Sequence, residues 1–199
     1  MTVSVKSSAK RGRPGYDQEA VLVAAVDVFT RHGYEAASMG MLAEALGLSK
    51  SAIYHHVPSK VELLRLALDD ALSALEAAAD DAAERGSSPV DTLELLMRGT
   101  VKVLIEKQPE VRLLLRLRGN SEVENEAIAR RRAVDRRTSE VIRDAQDSGA
   151  LRTDVEARVL ARLMFGMINS IVEWHRPGNR TADELADTVT SVLLEGVRA

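Results

Sequence analysis

Residues 38–60, SMGMLAEALGLSKSAIYHHVPSK, constrain the fold of this chain more than any other stretch. They read as two short helices around a glycine turn. Ser38 is a good N-cap, and Met41, Leu42, Ala45 and Leu46 give the first helix an apolar side. Gly47 permits the positive φ of a tight turn, and Leu48 plugs a small core. Ser49 caps the second helix, in which Ile53 and Val57 point inward. Its other side carries Ser49, Lys50, Ser51, Tyr54, His55 and His56 in place of a continuous apolar stripe. One side of such a helix packs, and the other meets a polar partner.

Those outward groups suit a nucleic acid. Hydroxyls and the Tyr54 phenol match phosphate oxygens, Lys50 adds charge, and Ser, Lys and the small Ala52 can touch base edges or a thymine methyl. A brace helix followed by a groove-reading helix is a helix-turn-helix. The net charge of −3 opposes this reading when taken alone, but its distribution does not. Residues 1–14 form a basic arm, expected to be flexible, with Lys6, Lys10, Arg11 and Arg13 and no acid, while the remainder is acidic on balance. The same arm would also serve as a plain solubilising tail.

The rest of the chain is helical in pattern, so the expected fold class is all-α. Aromatics make up only 3%, and no alternating strand run bounded by hairpin turns occurs. A first helix spans roughly 17–32, with Gly33 at its C-terminal stop. Ser59 with Glu62, Ser121 with Glu124, Thr153 with Glu156 and Thr181 with Glu184 have capping-box spacing, and Ser88-Pro89 opens a further helix. Lys107-Gln108-Pro109 breaks the pattern, and a short helix is expected over 110–118. About nine helices result. They are divided as an arm (1–14), a helix-turn-helix domain (15–58) and a larger helical body (59–199), the two domains joined through a fourth helix; the family resemblance described next makes that body a ligand-binding and dimerisation domain.

Over residues 15–65 the chain resembles the DNA-binding signature of TetR/AcrR-family transcriptional regulators. The likeness is carried by Leu42-Ala43, Leu46-Gly47-Leu48-Ser49-Lys50, Tyr54-His55-His56 and Lys60, and by Phe29 with Gly33-Tyr34 in the helix before. Val57 stands where the family usually has Phe. The resemblance implies that Ser38 and Ser49, Lys50, Ser51 and Ala52 contact phosphates and bases. It places Tyr54, His55 and His56 against the backbone, has Lys60 grip a phosphate, and lets Lys10, Arg11 and Arg13 reach a neighbouring groove. It also implies a homodimer built from the last two helices. Val159, Leu163, Met167 and Ile171 with Leu185, Val189, Val192 and Leu193 are the expected interface, and both helices are apolar enough for it.

Candidates for an effector site in the body are Met97, Leu113, Arg116, Arg130, Arg137, Met164, Phe165 and Trp174. The apolar members serve equally as plain core. Arg130, Arg131, Arg132, Arg136 and Arg137 on one helix read either as a solvated face paired with acids or as a site for an anion. The implied function is a repressor that binds a palindromic double-stranded operator as a dimer and is released by a small hydrophobic or anionic effector, such as an acyl-CoA thioester. A ligand-independent regulator or activator is the alternative, and an all-α enzyme or carrier is more remote.

No enzyme, cofactor or metal site is expected. Cys is absent, the adjacent His55 and His56 diverge by about 100° on a helix, and no Glu-x-x-His or phosphate loop occurs. The polar, basic N-terminus and the short apolar runs point to a cytoplasmic protein without a membrane span.

Overall fold

A computed structural model describes residues 18–178 and 180–198. Nine α-helices account for most of the described residues: α1 Gln18–His32, α2 Met39–Leu46, α3 Lys50–His56, α4 Lys60–Arg85, α5 Pro89–Glu106, α6 Gln108–Leu115, α7 Glu122–Asp147, α8 Ala157–Trp174 and α9 Ala182–Glu195. The one β-type pairing described is an isolated bridge between Leu151 and Arg198.

Local chemistry sets most of the boundaries. Ser38, Ser49, Ser59, Ser88, Ser121 and Thr181 each accept a hydrogen bond from a backbone N–H of the turn they open. At Thr181 the box closes both ways, with Glu184 reaching back to the Thr181 N–H at 2.9 Å. Gly47 takes φ 63° between α2 and α3, in the left-handed region that a side chain resists.

Two expectations fail for identifiable reasons. Thr153 and Glu156 do not form a cap, because α8 begins at Ala157 with Glu156 itself as N-cap, and Glu156 makes no side-chain capping bond. Residues 152 and 155 instead turn their carbonyls to the Gln146 amide, and Arg152 pairs with Asp154. Helix α6 runs over 108–115 and not 110–118. The N–H groups of Arg118, Gly119 and Asn120 leave the helix and converge on one Glu124 carboxylate oxygen at 2.7–3.1 Å. Glu124 is thus buried yet satisfied, a staple that fixes the loop before α7.

Packing falls into two cores. The head core gathers Val21, Phe29, Leu42, Ile53 and Val57 from α1–α3 and continues into Leu63, Leu64 and Leu68 of α4, Leu113 and Leu114 of α6, and Val123 and Ala127 of α7. The body core joins α5, α7, α8 and α9 around Leu93, Met97, Ile142, Met164 and Ile168. The head is therefore not packed by residues 15–58 alone. Helices α4 and α6 close its underside.

Candidate nucleic-acid interface and effector cleft

Helix α3 is held by its inner face. Ile53 and Val57 are buried in the head core, and Val57 fills the position where the resemblance leads one to look for Phe. Ser49, Lys50, Ser51, Tyr54 and His55 are exposed, while Ala52 and His56 are half-buried. The Ser49 and Ser51 hydroxyls lie 2.9 Å apart. Lys50 reaches back across α2. A Cβ built on Gly40 would stand 3.0 Å from its Cε and 3.3 Å from its Nζ, and 3.5 Å from Ser38 Oγ. Gly40 therefore leaves room for an ammonium over the first turn of α2, where unpaired N–H groups already favour an anion. Lys10, Arg11 and Arg13 lie outside the described residues.

Lys60 is placed differently from the phosphate-gripping role implied for it. Its Nζ donates to the carbonyls of Tyr34 at 2.9 Å, Ala37 at 3.0 Å and Glu35 at 3.3 Å, and sits 4.3 Å from the Tyr34 ring centroid. An ammonium has three protons, and here all three are directed at the α1–α2 connection. Lys60 thus ties the start of α4 to the head.

The body holds a cleft of about 900 Å³ between α7 and α8, floored by α4–α6. Leu75, Leu104, Val111, Leu114, Leu115, Ala161 and Phe165 supply its apolar wall. Its charge comes from six arginines, Arg131, Arg132, Arg136, Arg143, Arg158 and Arg162, against three acids, Asp135, Glu140 and Glu156. Burial pushes the Asp135 carboxyl above the usual range, opposed by Arg131, Arg162, Arg132 and Arg136 around it.

Of the eight effector-site candidates, only Phe165 lines this cleft. Met97, Leu113 and Met164 are buried in the cores. Arg116 donates to the Thr30 carbonyl at 2.8 Å, across to the end of α1. Arg130 grips Glu76 bidentately and Asp69 as well, and Arg137 pairs with Asp80, so both tie α7 to α4. Trp174 is exposed, its indole N–H on Ser170. A helical wheel anticipates the sorting. At about 100° per residue, Arg130 and Arg137 fall on one face of α7 and Arg132, Arg136 and Arg143 on the other. Only the second face meets the cleft.

Helix α8 carries three stripes. Leu160, Met164, Ile168 and Ile171 face the core, and Arg158, Arg162, Phe165 and Asn169 face the cleft. Val159, Leu163, Met167 and Trp174 are left exposed, Leu163 by 63%, and Val192 on α9 is exposed by 53%. The expected interface therefore splits. Ile171, Leu185, Val189 and Leu193 are spent inside the protomer, and Val159, Leu163, Met167 and Val192 stand free. Among the described residues no group of three His, Cys, Asp or Glu is placed to hold a metal, and no helix is long and apolar enough to cross a membrane.

A helix with an outward polar face on a small helical head, above a helical body with a cleft, is the arrangement of a DNA-binding transcriptional regulator. The comparisons with known proteins agree. Residues 21–67 match the model for bacterial regulatory proteins of the tetR family, and residues 86–197 match the tetracyclin repressor-like C-terminal domain. The chain belongs to the TetR family of DNA-binding transcriptional regulators. It is 27% identical to the transcriptional repressor AcnR of Corynebacterium glutamicum, over 94% of this chain and 97% of that one. A solved TetR-family member from Streptomyces coelicolor is 44% identical, with a TM-score of 0.83 over 90% of this chain and 91% of that one. The structure of AibR with isovaleryl coenzyme A and operator DNA is 26% identical, with a TM-score of 0.73 over 89% and 97%.

Proposed function

We propose that the chain is a repressor that binds a palindromic operator as a homodimer and releases it when a small effector fills the α7–α8 cleft. The observation that carries this is the polar face of α3, held outward by a buried Ile53–Val57 face in a head of the TetR family. Ser38, Ser49, Lys50, Ser51, Ala52, Tyr54, His55 and His56 form the DNA surface, with Lys60 setting its angle from behind. Basic residues of the arm, Lys10, Arg11 and Arg13, add contacts to a neighbouring groove.

The exposed stripe of Val159, Leu163, Met167 and Trp174, with Val192, supports pairing through α8 and α9. Two copies related by a two-fold axis would set their α3 helices on half-sites roughly 34–36 Å apart. The cleft supports control by a ligand. The solved complex of AibR, which holds both isovaleryl coenzyme A and operator DNA, makes an acyl-CoA thioester the first effector to try. Release requires only that the effector prefer the conformation that DNA does not.

Fluorescence anisotropy on an operator selected from the flanking DNA tests this. Tyr54→Ala and Lys50→Ala should each weaken binding at least tenfold, and affinity should fall steeply with salt. Binding unchanged in both variants and insensitive to salt would refute the α3 surface.

A further inference from the structure

Helix α8 carries a glycine that nothing in its own protomer explains. Gly40, Gly99 and Gly166 lie inside helices, where glycine is a poor helix former. A Cβ on Gly40 would stand 3.0 Å from Lys50 Cε, and one on Gly99 would stand 3.0 Å from Ala78 Cβ. A Cβ on Gly166 would meet nothing within 4 Å. Nor is Gly166 among the glycines of positive φ. Neither backbone conformation nor internal packing asks for glycine there, whereas a close approach from outside the protomer does.

Gly166 borders the exposed stripe of α8. At about 100° per residue, Gly166, Val159, Ser170, Leu163, Trp174 and Met167 fall within one arc of about 100°, and all are exposed. The stripe reads alike in both directions. About a point between Gly166 and Met167, Leu163 mirrors Ser170 and Val159 mirrors Trp174. A two-fold axis through that point lays α8 antiparallel to its copy and sets each residue against its mirror. In every pair a bulky side chain then meets a smaller one: Met167 meets Gly166, Leu163 meets Ser170, and Trp174 meets Val159. Ser170 also holds the Trp174 indole N–H at 3.3 Å, which fixes the largest of these side chains beforehand. On the flank beside Gly166, Arg162 and Glu173 sit close to mirror positions, and neither forms an ion pair within the protomer. Antiparallel pairing brings like flanks together, so each Arg162 comes within reach of the partner's Glu173.

We infer that α8 pairs antiparallel with α8 of a second copy, crossing at Gly166 and Met167, with each Met167 seated over the partner's Gly166. This rests on the homodimer reading, and it adds the register of the contact and the reason the partner is this same chain. The missing side chain at Gly166 lets the two helices approach toward the short end of the usual interaxial range of about 8–10 Å. A helix of the same fold with a bulky residue at that position clashes with Met167. The stripe therefore selects a second copy of this chain over a related regulator, by shape as well as by apolar area.

The chain has no cysteine, so introduced cysteines report the register directly. Oxidation of the full chain, at a concentration where sedimentation shows a dimer, is read on non-reducing gels. Met167→Cys should crosslink, because a residue beside the axis faces its own copy within disulfide reach. Leu163→Cys should not, since its own copy is offset by about 10 Å along the helix. Leu163→Cys with Ser170→Cys in one chain should crosslink between copies, the two being too far apart on one helix to bond each other. Gly166→Met should raise the dimer Kd at least tenfold, and Gly166→Met with Met167→Gly should recover most of the loss. A dimer in which Met167→Cys stays uncrosslinked, or in which Leu163→Cys alone crosslinks as fully, overturns the pairing and leaves the dimer reading standing. A dimer of wild-type affinity in Gly166→Met does the same. A wild-type chain that sediments as a monomer at every concentration removes the dimer reading itself, and the pairing with it.

Discussion

Replacing Lys60 with Met separates two roles that the same residue could play. Methionine keeps the apolar stem and removes the ammonium. In the structure that ammonium bonds three carbonyls, two of them in part-buried surroundings, and lies over the Tyr34 ring. A hydrogen bond to a charged group is worth about 1.5–3 kcal/mol net in a shielded site, and less where water can replace it. Counting the two shielded bonds near the low end and the exposed one as negligible gives about 2–3 kcal/mol. The ring contact adds roughly 0.5–1 kcal/mol. Lys60→Met should therefore destabilise the protein by about 2.5–4 kcal/mol in urea unfolding, read as a lower midpoint. DNA affinity should fall because the head is less firmly set, while the slope of log affinity against log salt stays unchanged. A phosphate contact behaves in the opposite way. Stability would hold, and the slope would lose about 1.8, for one phosphate freed on each of the two protomers. Wild-type stability with a reduced slope would refute the internal tie.

Three further outcomes follow from particular contacts. Gly40→Ala should leave stability within about 1 kcal/mol of wild type, since alanine favours the helix, yet weaken operator binding several-fold in anisotropy by crowding Lys50 off α2. Leu163→Glu should leave the protomer folded, because that side chain is 63% exposed. It should raise the dimer dissociation constant at least 100-fold in sedimentation, as two copies each forfeit about 1.5–2 kcal/mol of burial; an intact dimer would move the interface elsewhere. The Arg130 guanidinium holds the Glu76 carboxyl below the usual carboxylate range. Because the folded value is depressed, the pair stabilises the protein above the ordinary carboxylate pKa and stops doing so as pH falls through the lowered one. Glu76→Gln should cost about 1 kcal/mol at pH 7, since the pair is partly screened, and should flatten the acid side of the stability–pH curve. A curve of unchanged shape would contradict it.

Much of the fold was legible because capping and turn chemistry are local. Ser59, Ser88, Ser121, Thr181 and Gly47 act within a few residues of themselves, and the helices begin or end where those residues say. The end of α6 was not legible, since it depends on where the Glu124 carboxylate points after the chain has turned. The outward face of α3 was readable from its polarity. The cleft was harder, because Met97 and Met164 suit a core as well as a pocket and only tertiary packing decides between them. The arginines of α7 were recognised as a group, and the 100° rule could have divided them. What it could not say is which face meets α4, where Asp69, Glu76 and Asp80 wait, and which meets the cleft. Lys60 illustrates the same limit. Its type and position fit a phosphate, but the three carbonyls that take its protons come from residues more than twenty positions away.

Under the proposed function, two copies of this chain read DNA through paired α3 helices. In vitro selection of random duplex DNA by the full chain, followed by sequencing, tests it most directly. The expected product is an enriched inverted repeat whose half-site centres lie about one helical turn apart, or a small multiple of it, lost in Tyr54→Ala. Enrichment of a single asymmetric site, or of no sequence at all at moderate salt, would contradict it.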